Sequence, residues 1–154
     1  MGGCFEMLET QLMLGSPYLA TDALSGHALV VETSGETPCA AEVERFFSVL
    51  GERGALREIE AVLVGKPETP GETPAERERY RDRQRRAIAE TVDGYADELP
   101  VVFDLDVGHT APVLPLPLGA DAVIDTDERT IDFPALRGRT ADGSRDRTDD
   151  GRRD

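Results

Sequence analysis

Three short apolar runs limit how this chain can fold: His27 to Glu32, Ile59 to Val64, and Val101 to Asp106. Each is rich in β-branched residues, too short for a helix, and bounded by Gly, Pro or charged residues, as buried strands are. The segments between them carry helical periodicity. Thr37 reads as an N-cap with Pro38 at the first helical position and Glu42 and Glu44 in the early turns. Val43, Phe46, Phe47 and Leu50 then recur at i, i+3, i+4 and i+7, a core-facing stripe. From Pro74 to Leu99 a longer helix puts Ile88, Val92, Tyr95 and Leu99 on its buried line. An earlier helix over 4–14 aligns Phe5, Leu8 and Leu12 and stops at Gly15-Ser16-Pro17. The order strand–helix–strand–helix–strand predicts an α/β domain with a small parallel sheet and flanking helices. Two weaker strands, 121–125 and 129–133, read as an antiparallel hairpin across Thr126-Asp127-Glu128.

The ends of the chain carry their own expectations. Gly2-Gly3 leads straight into the first helix with no strand before it, which reads as a start in the middle of a fold. Beyond Arg137 the composition collapses to Asp, Arg, Gly, Ser and Thr, so 138–154 is expected to be a disordered tail behind a single domain of 1–137.

Charge narrows the function classes. There are 31 acidic against 17 basic side chains, a net charge of -14, and Lys66 is the only lysine. An acidic, lysine-poor surface suits work in molar salt, where screening removes most carboxylate repulsion. The same charge argues against a nucleic-acid partner. Cys4 and Cys39 make neither a disulfide framework nor zinc-site spacing. No apolar stretch approaches a membrane span, and no leader pattern opens the chain. Glu6 stands where a myristoylation motif wants Ser or Thr. The chain reads as cytoplasmic, with no membrane partner. The arginines between Arg77 and Arg86 alternate with acids such as Asp82, a solvated helix face rather than a phosphate site.

The candidate chemistry lies at two strand ends. Gly108-His109-Thr110 puts an imidazole just past the third strand, and Glu32 closes the first. In open α/β sheets, ligands bind at the carboxyl ends of the strands. If the strands are neighbours, Glu32 fixes the tautomer of His109 and leaves its other nitrogen free as a general base. A hydrogen-bonded structural histidine is the plain alternative. A metal reading competes: Asp104-x-Asp106-x-x-His109 offers three ligands, with Asp104 and Asp106 on one strand face by alternation. Against it, His27 belongs at the opposite edge of the sheet and no second histidine has ligand spacing. No cofactor is expected. No activated nucleophile is evident, because Cys4, Ser16 and Ser34 lie outside any G-x-S-x-G elbow.

Gly2-Gly3-Cys4-Phe5, Gly15-Ser16-Pro17-Tyr18 and Leu29-Val30-Val31-Glu32-Thr33-Ser34-Gly35-Glu36 resemble, in order, motifs of the LD-carboxypeptidase serine peptidases. Gly65-Lys66-Pro67, Gly108-His109-Thr110-Ala111-Pro112 and Leu116-Pro117-Leu118-Gly119 look like the branch that includes the microcin immunity protein. The resemblance runs from Gly2 to about Phe133. It implies the family's C-terminal catalytic domain, with a swivelling β/β/α type of architecture, and a Ser–Glu–His triad. Glu32 and His109 match its acid and base, with Glu36 as a second candidate for the acid. The serine and oxyanion hole belong to the family's N-terminal domain, so the expected partners are that domain in trans or a homo-oligomer. Family substrates are amides next to a free carboxylate, in small peptides or aminoacyl-nucleotide conjugates. Two readings stand side by side: the acid–base half of a serine carboxypeptidase, inactive alone, or a non-catalytic remnant serving as an interaction module.

Overall fold

The computed structural model describes residues 1–137; the tail expected over 138–154 lies outside them. The chain divides into two compact units, Met1–Leu118 and a second from Gly119 onward.

The first unit is built on a sheet of four parallel strands in the order β1-β2-β3-β4. These are β1 (Gly2–Cys4), β2 (Ala28–Glu32), β3 (Ala61–Gly65) and β4 (Val101–Leu105). Helices α1 (Phe5–Met13), α2 (Thr21–Leu24), α3 (Ala40–Glu52) and α4 (Pro74–Tyr95) connect them, with 3-10 turns at Pro17–Leu19 and Ala55–Arg57. Consecutive parallel strands joined by crossovers of one hand collect their helices on one sheet face. The core lies there. Leu29, Val31, Val62 and Val64 from the sheet pack with Phe5, Leu8 and Leu12 of α1, the Val43–Phe46–Phe47–Leu50 stripe of α3, and Ile88 and Val92 of α4. Phe46 meets Phe5 and Phe47 edge-on, each pair with ring centroids 5.3 Å apart.

Four expectations need correction. Gly2 to Cys4 form a strand after all, pairing Gly2 with Val30 and Cys4 with Glu32. A glycine pair carries no β signal in sequence, yet a Cβ at Gly2 would lie 2.5 Å from that of Val30, so glycine permits the close pairing. Helix α3 starts later than the Thr37-Pro38 pattern indicates. Cys39 is its N-cap, Glu42 Oε2 accepts the Cys39 N–H at 2.6 Å, and Thr37 sits at φ 49 outside the helix. Helix α4 ends at Tyr95, leaving Leu99 in the following turn, still packed on the core. Its buried line also includes Tyr80 and Gln84. Finally, β4 is a partly buried edge strand rather than a buried one, and its alternation is broken. Val62 pairs with Val101 and Leu63 with Val102, but Gly65 pairs with Leu105. Val64 therefore stands opposite both Phe103 and Asp104, a β-bulge.

The second unit contains the expected hairpin, β5 (Val123–Asp125) antiparallel to β6 (Thr130–Asp132), followed by the short helix α5 (Pro134–Arg137).

Candidate functional site

The carboxyl ends of β1 to β4 gather the residues that carry chemistry. Glu32 ends β2, and β4 leads through Asp106 and the buried Val107 to Gly108 and His109. His109 Nδ1 and Glu32 Oε2 are 2.8 Å apart. Glu32 is mostly enclosed, at 13% side-chain exposure, while the imidazole is 50% exposed, so its far edge faces solvent. The hydrogen bond and charge of Glu32 push the His109 pKa up; desolvation opposes them, and Glu68 and Glu6 add weaker contributions in the same upward sense. A carboxylate that accepts from Nδ1 fixes the tautomer and leaves Nε2 to take a proton.

Two glycines make room for that carboxylate. A Cβ at Gly65 would fall 2.8 Å from Glu32 Cβ and 2.6 Å from the Val107 carbonyl oxygen. One at Gly108, where φ is 101, would also fall 2.8 Å from Glu32 Cβ. In the sequence both read as turn punctuation. Their contribution to the site depends on strand neighbours far apart in the chain.

The remaining candidates are brought close but engaged elsewhere. Cys4 Sγ donates to Glu6 Oε2 at 2.6 Å, and burial together with this carboxylate pushes the thiol pKa up, away from a reactive thiolate. Ser34 Oγ donates to Glu6 Oε1 at 2.9 Å, and the Ser34 N–H donates to the same carboxylate. Desolvation pushes Glu6 up, but these donors outweigh it and hold the pKa below the usual range. Glu6 is inconspicuous in the sequence because nothing local marks a carboxylate that reaches across to the β2–α3 loop. Glu36, the second candidate acid, meets Ser34 Oγ through its backbone N–H. Among the described residues the carboxylate on His109 is that of Glu32.

The residues weighed as metal ligands diverge. Asp104 pairs with Arg85 of α4 at 2.5 Å, Asp106 with Lys66 at 2.9 Å, and His109 with Glu32. Each acid is thus taken by its own cation, Asp104 by one on α4 and Asp106 by one just past β3. Among the described residues no group of three His, Cys, Asp or Glu side chains is placed to hold a metal. His27 lies at the far end of β2, its Nδ1 2.9 Å from the Ser25 carbonyl.

The turn bearing His109 is fastened to the sheet. Leu105 O accepts the Lys66 N–H at 2.8 Å, Asp106 O accepts the Leu114 N–H at 2.6 Å, and Thr110 Oγ1 donates to Lys66 O at 3.4 Å. A cavity of about 30 Å³ lies between α4 and the strand ends, with Phe5, Val31, Val64, Ile88 and Phe103 among its walls. That is room for about two waters, and His109 is not among the residues that line it.

Fold and site together define an α/β domain that presents a carboxylate–imidazole pair at the carboxyl edge of a parallel sheet. The chain belongs to the LD-carboxypeptidase C-terminal domain family, which matches residues 1–124. It is similar to the microcin C7 self-immunity protein MccF of Escherichia coli, at 32% identity over 110 residues, 71% of this chain and 29% of that protein. A carboxypeptidase-like protein of Streptomyces coelicolor is 30% identical over 138 residues, 88% of this chain and 40% of its own length. The crystal structure of an MccF-like protein from Streptococcus pneumoniae in complex with AMP superposes with a TM-score of 0.65 at 27% identity, over 86% of this chain and 39% of that one. The chain thus spans less than half the length of these relatives. Among the described residues no helix is long and apolar enough to cross a membrane.

Proposed function

We propose that this chain is the acid–base half of a serine-type carboxypeptidase, with residues 1–137 as the catalytic C-terminal domain and the nucleophile outside these residues. The observation that carries the reading is the 2.8 Å contact between Glu32 and the half-exposed His109 at the strand ends. In this role His109 Nε2 takes the proton from a serine hydroxyl as its oxygen attacks an amide carbonyl. The imidazolium, held by Glu32, then returns the proton to the departing nitrogen, and water repeats the cycle on the acyl-enzyme.

The substrate is an amide or acyl bond next to a free carboxylate, in a small peptide or an aminoacyl-nucleotide conjugate. Solved structures of MccF in complex with aspartyl sulfamoyl adenosine and with glutamyl sulfamoyl guanosine support the second class. Exposed Val113, Leu114 and Leu118, a few residues past His109, support a protein surface docking beside the site.

The test mixes the full chain with the N-terminal domain of a family relative and follows hydrolysis of aspartyl sulfamoyl adenosine. The chain alone is expected to be inert and the mixture active. His109→Ala is expected to lower the activity of the mixture on the order of 10⁴-fold or more, judging by triad knockouts in serine proteases. Robust turnover by the chain alone, or full activity with His109→Ala, overturns the reading. A heterodimer without turnover leaves the interaction module.

A further inference from the structure

An unbroken strand over 101–106 would carry the alternation set by Val101 and Val102 through to its end, but β4 inserts an extra residue opposite Val64. A shift of one residue sends every later side chain to the other face, and bulges beside active sites re-aim the side chains beyond them. The residue that makes this bulge, Asp104, has φ 61. Apart from glycine, Asp and Asn tolerate that left-handed region best. Arg85 reaches down from α4 to the Asp104 carboxylate at 2.5 Å and holds it there.

We propose that Asp104, fixed by Arg85, is a positioning residue that sets the phase in which β4 delivers His109 to Glu32. The inference rests on the Glu32–His109 pair being the working site. Little slack separates the bulge from the imidazole. Leu105 O is bonded to both the Lys66 and Val107 N–H groups at 2.8 Å, and Asp106 is pinned to Lys66. Val107 is buried, and Gly108 passes so close to Glu32 that no side chain fits. One residue of slippage moves a strand by about 3.3 Å, too far for a 2.8 Å contact to survive.

The test is an NMR titration of His109 in the full chain, where Glu32, Glu68 and Glu6 are the charged groups that act on it. Asp104→Val cannot hold the left-handed conformation, and its His109 pKa is expected to fall toward the ordinary histidine value. Asp104→Asn removes the same charge while keeping the conformation and an oxygen for Arg85, so the raised pKa is expected to persist. Arg85→Ala is expected to lower the pKa, with Arg85→Lys restoring part of it. Loss of the arginine's charge alone would act in the opposite direction, so a fall reports geometry. If Asp104→Val does not fold, Arg85→Ala decides. An unchanged His109 titration in the folded variants, with a fall in Glu32→Gln, overturns the positioning role and leaves the pair standing. An unchanged titration in Glu32→Gln sinks the pair itself, and the positioning role with it.

Discussion

His109 is shifted by its hydrogen bond to Glu32 before anything else, and that has consequences for pH that differ for activity and stability. As a general base the imidazole must be neutral, so the acid limb of kcat/KM in the reconstituted enzyme is expected above the ordinary histidine pKa. Glu32→Gln should move that limb down, whereas Glu36→Gln should leave it in place. For stability the sign is opposite. A pKa raised by folding stabilises fully below the unfolded value, and the benefit is lost as pH rises through the folded value. Thermal melts of wild type and Glu32→Gln across that window should converge at its alkaline end. At Gly108, an alanine would meet Glu32 and sit at φ 101. We expect it to destabilise the fold by about 1–3 kcal/mol and to abolish the raised His109 pKa, as read by melting and titration. Glu32 and His109 were legible because each closes a strand-like run. Glu6, Gly65 and Gly108 were not, because their importance lies in what stands across the sheet from them.

Among the elements, the apolar stripes of α1 and α3 were readable because periodicity reports burial directly. The start of α3 was not, because Thr37-Pro38 has the form of a cap, while the structure uses Pro38 for something else. Its buried carbonyl oxygen accepts from Tyr80 Oη at 2.8 Å and from Gln84 Nε2 at 2.5 Å, tying the β2–α3 loop to α4. Burial pushes the Tyr80 pKa up to about 12, so this donor keeps its proton at any working pH. No helical pattern flags a glutamine as core, so Gln84 was invisible in the sequence. Tyr80→Phe or Gln84→Leu alone leaves the carbonyl one donor and should cost about 0.5–1.5 kcal/mol. The double variant strands a buried acceptor and should cost more than the sum of the two. A double-mutant cycle from denaturant unfolding measures that coupling. A strictly additive result would mean that the two bonds do not share the work of holding the loop.

At the scale of the whole molecule, the parallel α/β layout was legible from the alternation of strand and helix patterns. The edge strand β1 was not, because it contains no β-forming run and exists only through its pairing with β2. Charge is the remaining property at this scale. With a net charge of -14 on 154 residues, the folded chain holds its carboxylates closer together than the unfolded one does, and their mutual repulsion opposes folding. Added salt shortens the screening length to about 3 Å at 1 M, so the melting temperature is expected to rise from dilute buffer into molar KCl. Two effects are mixed in such a rise, and the choice of salt separates them. Screening acts at low ionic strength and levels off, and it depends little on the anion. Exclusion of ions from apolar surface keeps growing with concentration and is stronger for sulfate than for chloride. A steep gain below a few tenths molar, equal in KCl and in potassium sulfate at matched ionic strength, would assign the stabilisation to the acidic surface. A melting temperature as high without salt as with it would end the case for a protein adapted to brine.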